Sequence, residues 1–204
     1  MSIQWYPGHM DKAKEKIKER LNLIDVVIEL LDARIPLSSR NPDIDEVLAD
    51  KKRIIALNKK DLADPKVTAE WLDYFSETAP SVAINSLTGE NVKQIFSLAD
   101  KLTREEQEKA LARGRNKRDI KLMIVGVPNV GKSQLINQLG GKNRARTGNQ
   151  PGVTRGEQWV KLGKGFELLD TPGVLWSKFE DEEAGVRLAL CGAIKEGRFD
   201  NELL

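Results

Sequence analysis

The run Gly126-Val127-Pro128-Asn129-Val130-Gly131-Lys132-Ser133 satisfies the spacing GxxxxGK[ST], a device for holding phosphate. Glycines let the backbone wrap closely so that its N–H groups point at phosphate oxygens, and a helix starting at the end of the run adds its positive N-terminal pole. Lys132 then reaches the β- and γ-phosphates and the Ser133 hydroxyl ligates Mg²⁺, with Val130, Gly131 and Gln134 completing the expected nucleotide contacts. Downstream, Asp170-Thr171-Pro172-Gly173 gives DxxG at the end of the apolar strand Phe166-Glu167-Leu168-Leu169. An acid in that position holds Mg²⁺, usually through water, and Gly173 brings a backbone N–H to the γ-phosphate. Between the two elements lies Pro151-Gly152-Val153-Thr154. Two readings of Thr154 stand: a hydroxyl that closes on Mg²⁺ when the γ-phosphate is present, or an ordinary loop residue.

The base is chosen by Asn58-Lys59-Lys60-Asp61, which reads NKxD. A carboxylate such as Asp61 accepts from both the guanine ring N–H and its exocyclic amine, whereas adenine offers neither donor and would leave a buried acceptor unpaired. Asn58 adds a polar contact and the Lys59 stem packs along the base. Asn85-Ser86-Leu87 supplies a further base-edge loop of lower specificity. GTP and GDP are the expected ligands, and ATP is expected to bind poorly.

Strand-length apolar runs must position these loops: Val26 to Leu31, Arg53 to Leu57, Ser81 to Ile84, Ile120 to Val125, Gln158 to Leu162 and Phe166 to Leu169. Helical spacing fills most of the intervals, over Val67 to Thr78, Asn91 to Ala112 and Ser133 to Leu139, with another helix over Glu180 to Ala193. Strands alternating with helices imply right-handed crossovers, an α/β class and a six-stranded, mainly parallel sheet. Only Gly163-Lys164-Gly165 separates the last two strands, which predicts one antiparallel hairpin at a sheet edge. Trp71, Trp159 and Trp176 read as core residues.

The order of the motifs is itself informative. In ordinary small GTPases the phosphate loop comes first and NKxD follows DxxG; here Asn58 to Asp61 precede the phosphate loop, which precedes Asp170 to Gly173. The domain reads as circularly permuted, a change a compact domain tolerates because its termini lie close together. The expected divisions are an N-terminal segment and docked helix over 1–24, the permuted domain over 25–194, and a tail over 195–204. Within the domain, 25–100 carries NKxD, 101–119 is a basic linker, and 120–194 carries the phosphate loop.

Composition agrees with one globular domain. The chain has 204 residues, 40% apolar and 31% charged, a balance that excludes disordered, fibrous and membrane-embedded classes. No apolar run approaches membrane-spanning length. The net charge of +2 leaves a nucleic-acid partner to be decided by local clustering. From Lys109 to Lys121 six basic residues face one acid. That stretch reads either as a phosphate-contacting surface or as an exposed connection. The N-terminal stripe Met10, Ala13, Ile17, Leu21, Ile24 predicts a docked helix whose lysines either meet an anionic partner or are simply solvated. The loop arginines Arg34 and Arg40 either contact RNA phosphate or pair with Asp32 and Asp43. Cys191 is the single cysteine and the N-terminus carries no secretory pattern, so the cytosol is the expected compartment.

The permuted order, with Trp5-Tyr6-Pro7-Gly8-His9-Met10, Asp32-Ala33-Arg34-Ile35-Pro36 and Ser38-Ser39-Arg40-Asn41-Pro42, resembles the bacterial ribosome biogenesis GTPase A family over essentially the whole chain. The resemblance implies a GTPase that assists late assembly of the large ribosomal subunit, contacts ribosomal RNA and hydrolyses GTP faster on the ribosome. It also implies a helical C-terminal RNA-contacting domain, of which 195–204 would be the start. After DxxG this chain has Val174 and Leu175 where many GTPases carry a water-orienting Gln. The resemblance points to His9 as the group that swings towards the γ-phosphate, the other reading being that His9 caps or packs the first helix. Asn129 resembles the residue that holds K⁺ in potassium-activated GTPases, or is a turn former after Pro128. From a different class of function, a nucleotide-gated RNA or protein adaptor with negligible catalysis stands beside the hydrolase.

Overall fold

A computed structural model describes residues 18–42, 44–141, 159–169 and 182–194. His9, Thr154, Asp170, Gly173, Trp176, most of the N-terminal stripe and the tail 195–204 lie outside the described residues.

The elements are β1 (Val26–Asp32), short helices α1 (Pro36–Ser39) and α2 (Ile44–Leu48), β2 (Arg53–Asn58), a 3₁₀ turn (Lys60–Leu62) and α3 (Pro65–Ser76). There follow β3 (Ser81–Ala83), α4 (Gln94–Ala112), β4 (Ile120–Val125), α5 (Lys132–Gly140), β5 (Trp159–Gly163), β6 (Phe166–Leu169) and α6 (Glu182–Leu190). All six expected strands form, and the sheet order is β3-β2-β1-β4-β6-β5. Every pairing is parallel except β5 with β6, the edge hairpin read from the three-residue turn.

Local chemistry explains the element ends. Asp64 caps α3 by accepting from the N–H groups of Lys66 (2.8 Å) and Val67 (3.1 Å), and Pro65 occupies the first turn, where its missing N–H costs nothing. Helix α4 continues to Ala112, so the non-helical connection to β4 is residues 113–119, shorter than the linker expected over 101–119. The segment after β1, expected as loop, holds the two short helices α1 and α2.

The chain begins the sheet in its middle. From β1 it moves outward to β2 and β3, crosses back along α4, and enters β4 on the other side of β1. Residues of α2 pack with Val27, Met123 and Leu169 on one sheet face, while Leu135, Ile136 and Leu139 of α5 pack with Ile28, Ile124 and Leu168 on the other. The segments following the adjacent strands β1 and β4 therefore leave towards opposite faces. Such a switch point opens a crevice outside the carboxyl ends of the strands. The permutation thus moves the point of chain entry while the loops after β1, β2 and β4 stay at one end of the sheet.

Trp159 departs from the core reading. It sits on the edge strand β5 with 40% of its surface exposed, and Lys121 Nζ lies 5.0 Å from its ring centroid. The registers Lys121↔Glu167 and Glu167↔Lys161 set a charged row beside it, so this corner of the sheet face is polar. Trp71 is half-buried, stacked on Phe75 of α3. The basic stretch is partly committed inside the fold: Arg118 clamps Asp25 with two hydrogen bonds, 2.8 and 2.6 Å, and Asp25 also accepts from the Lys121 N–H.

In the middle of the buried strand β1 stands an acid, Glu29, 2% exposed. Its Oε1 accepts from Arg40 Nε at 3.2 Å; its Oε2 makes no hydrogen bond and lies 3.5 Å from Arg53 Nη1. Both arginines also pair with Asp45. Burial pushes the Glu29 carboxyl above the usual glutamate range, with the Arg40 and Arg53 charges pulling the other way. The folded chain therefore binds this proton more tightly than the unfolded chain does. Its contribution to stability falls as pH rises from the ordinary glutamate range through the raised folded value. Urea unfolding of wild type and Glu29→Gln across pH is expected to show the wild-type-minus-variant stability difference shrinking over that window and levelling above it. A difference that stays flat or grows with pH would refute this account.

Candidate nucleotide-binding site

The phosphate loop joins the buried end of β4 to the first turn of α5. Asn129 (φ 57°) and Gly131 (φ 109°) both take left-handed backbone, the kind of alternation by which a short loop curls its N–H groups into an anion cradle. A Cβ on Gly126 would sit 2.5 Å from the Leu30 carbonyl oxygen of the neighbouring strand, so that glycine allows β4 to leave the sheet close against β1. Lys132 Nζ donates to the carbonyls of Gly126 (3.0 Å) and Val127 (2.8 Å), which folds its stem back over the loop. Ser133 is half-buried and Gln134 exposed in the first turn of the helix.

Asn58, at the end of β2, is fully buried and is the buckle of the site. Its Nδ2 donates to the Val130 carbonyl in the phosphate loop (2.7 Å) and to Ser86 Oγ (2.9 Å), while its Oδ1 accepts from the Ser86 N–H (2.9 Å). Three loops far apart in sequence are thereby tied through one amide. Ser86, expected at the base edge, is buried as the other half of that buckle. Asn85 forms a tight turn, its Oδ1 accepting from the N–H groups of Leu87 (2.8 Å) and Thr88 (3.1 Å). Gln138 of α5 reaches the same turn by donating to the Leu87 carbonyl (3.0 Å).

Lys59 follows with left-handed backbone (φ 61°), and Asp61 is exposed in the 3₁₀ turn beyond it. Lys59 Nζ donates to Asp32 Oδ2 at 2.9 Å. Arg34 grips the same carboxylate, Nε to Oδ1 at 2.9 Å and Nη2 to Oδ2 at 2.7 Å, forming the Asp32 pair of its two readings. Arg40 pairs with Glu29 and Asp45; Asp43 lies outside the described residues. Burial would raise Asp32, but the hydrogen bonds from Arg34 and Lys59 outweigh it and hold the carboxyl below the usual aspartate range.

Helix α6 closes one flank. Asn129 Nδ2 donates to the Gly192 carbonyl (2.7 Å) in the turn after α6, so the side chain tethers the phosphate loop while its backbone makes the turn expected of an Asn after proline. Burial raises the neighbouring Cys191 thiol, with the Arg34 charge opposing. The residues brought together are therefore Asn58, Lys59, Asn85, Ser86, the phosphate loop and the first turn of α5. The sequence names Asp32 only as a partner for the loop arginines and gives Gln138 no role here. The parallel register Asp32↔Asn58 would have flagged the first, but register is a property of the folded sheet.

The family pattern described as "50S ribosome-binding GTPase" matches residues 121–196. The chain is 54% identical to "Ribosome biogenesis GTPase A" of Bacillus pumilus (strain SAFR-032), the match covering 96% of this chain and 70% of that protein. Identity to the protein of the same name from Thermotoga maritima (strain ATCC 43589 / DSM 3109 / JCM 10099 / NBRC 100826 / MSB8) is 38%, over 98% and 70% of the two chains. Among solved structures, GNP-bound YlqF from T. maritima superposes with a TM-score of 0.67 at 32% identity, covering 94% of this chain and 70% of that one. Its GDP-bound form superposes with a TM-score of 0.66 at 31% identity, over 92% and 70%. Relatedness at this level over nearly the whole chain, on a sheet with the permuted path, makes this protein a member of the ribosome biogenesis GTPase A family.

Proposed function

We propose that this chain is a Mg²⁺-dependent GTP hydrolase that acts as a molecular switch in late assembly of the bacterial large ribosomal subunit, working in the cytoplasm in contact with ribosomal RNA. The observation that carries the reading is the Asn58 buckle, which holds the NKxD loop, the Ser86 loop and the phosphate loop at one end of the sheet. Among the described residues no helix is long and apolar enough to cross a membrane.

In this reading Asp61 accepts from the guanine edge and Lys59 lays its stem along the ring. The cradle and Lys132 hold the β- and γ-phosphates. Ser133 offers a hard hydroxyl oxygen in the first helical turn, a donor suited to Mg²⁺, with Thr154 and Asp170 as its expected partners. When bound, that ion neutralises charge on the phosphate oxygens. Gly173 donates its N–H to the γ-phosphate, and His9, the residue to which the family resemblance points, orients the attacking water. With Nδ2 of Asn129 tied to Gly192, its amide oxygen is the atom that would meet a K⁺ ion.

The test is multiple-turnover phosphate release from GTP with and without large ribosomal subunits, for wild type and His9→Ala. Subunits are expected to raise wild-type turnover by about tenfold or more. His9→Ala is expected to lose about 10²-fold of the stimulated rate with GTP affinity unchanged. Stoichiometric GTP binding without turnover under either condition would overturn hydrolysis in favour of an adaptor.

A further inference from the structure

The base-reading loop contains a charge relay that the phosphate chemistry does not use. Lys59 is the residue whose stem lies along the ring in the reading above, and a lysine stem has four rotatable bonds, so an unanchored one is a poor shelf. Here its far end is fixed: Nζ meets Asp32 Oδ2 at 2.9 Å. Asp32 cannot move to follow, because it is 3% exposed at the end of β1, in register with Asn58, and its own N–H donates to Ser39 Oγ at 2.9 Å. Arg34 closes the carboxylate from the other side with both a bidentate guanidinium and its backbone N–H, 3.1 Å from Oδ1. A fork of this kind fixes direction as well as charge.

We propose that Asp32, clamped by Arg34, is a positioning residue for guanine-nucleotide binding, acting by pinning the Lys59 ammonium so that its stem is preorganised against the base. This rests on the site assignment above. Preorganisation of this kind strengthens binding by lowering the ordering cost, without touching the ligand. It serves the shared face of the purine ring and is blind to the exocyclic amine, which belongs to Asp61.

The experiment is a dissociation-constant series for GDP, IDP and ADP with wild type, Asp32→Asn, Lys59→Ala, Arg34→Gln and the Asp32→Asn/Lys59→Ala double variant. Asp32→Asn is expected to weaken GDP and IDP by the same factor, about tenfold, leaving their ratio at the wild-type value. In the Lys59→Ala background Asp32→Asn is expected to add nothing, the non-additivity of residues acting through one another. A general loosening of the fold would instead persist in that background. Arg34→Gln, which spares the Asp32–Lys59 bond, is expected to give a smaller loss of the same pattern and serves if Asp32→Asn does not fold. Additive losses, an unchanged GDP affinity, or a GDP/IDP ratio that collapses in Asp32→Asn would overturn the proposal. Wild type binding ADP as well as GDP would instead overturn the site assignment beneath it.

Discussion

Gly131→Ala is expected to raise the dissociation constant for GDP at least about 100-fold, roughly 3 kcal/mol, while the chain still folds. Two independent costs add at this position. Its backbone at φ 109° lies where an L-residue is strained by about 1–3 kcal/mol. A Cβ there would also stand 2.3 Å from Asn58 Nδ2 and 3.1 Å from Ser86 Oγ, both buried and both engaged in the buckle. Neither partner is the loose end of a surface side chain, so the loop must give way, and the loop is the phosphate cradle. Titration with a fluorescent guanine nucleotide, with circular dichroism to check the fold, measures this. An affinity within about threefold of wild type would mean that the cradle relaxes freely, against the close packing argued from these distances.

Asn58→Ala is expected to destabilise the folded chain by about 3–5 kcal/mol, from the partners left behind. The Val130 carbonyl, the Ser86 N–H and the Ser86 hydroxyl each lose a bond at a position water does not reach. Ser86→Ala should cost less, about 1–3 kcal/mol, because only one Asn58 Nδ2 hydrogen loses its acceptor while Asn58 keeps its bonds to Val130 and the Ser86 N–H. Urea unfolding with and without saturating GDP separates the two consequences. The ligand-free midpoint should fall, and the increment added by GDP should shrink as well, because the loops that hold the nucleotide are no longer held to one another. Equal losses for Asn58→Ala and Ser86→Ala would show that the amide is not the tie between loops.

What could be read along the chain is what depends on near neighbours. GxxxxGK[ST] names a phosphate loop because its glycines and its lysine lie within one turn and the next helix, and the parallel strands announce themselves through runs such as Val26 to Leu31 that are buried on both faces. The edge hairpin followed from a connection too short to cross over, and the permuted order from the sequence positions of three motifs. Asn58, Asp61 and the phosphate loop thus read as one site along the chain, and the fold joins Asn58 to that loop through the Val130 carbonyl.

Folding decided what each side chain does there. Asn58 reads as a base contact in one dimension and as a buried buckle in three, because residue 130, 72 positions away, is brought against it by the pairing of β2 and β4 on either side of β1. Asp32 carries no local sign that it will hold Lys59, since that bond exists only where β1 and β2 end in register. Trp159 has the letters of a core residue, yet stands exposed on the outermost strand beside a charged row. Periodicity and motif spacing are short-range properties that the covalent chain fixes. Partners, burial and the identity of the buckle depend on which strands become neighbours, a choice made by the packing of the whole sheet.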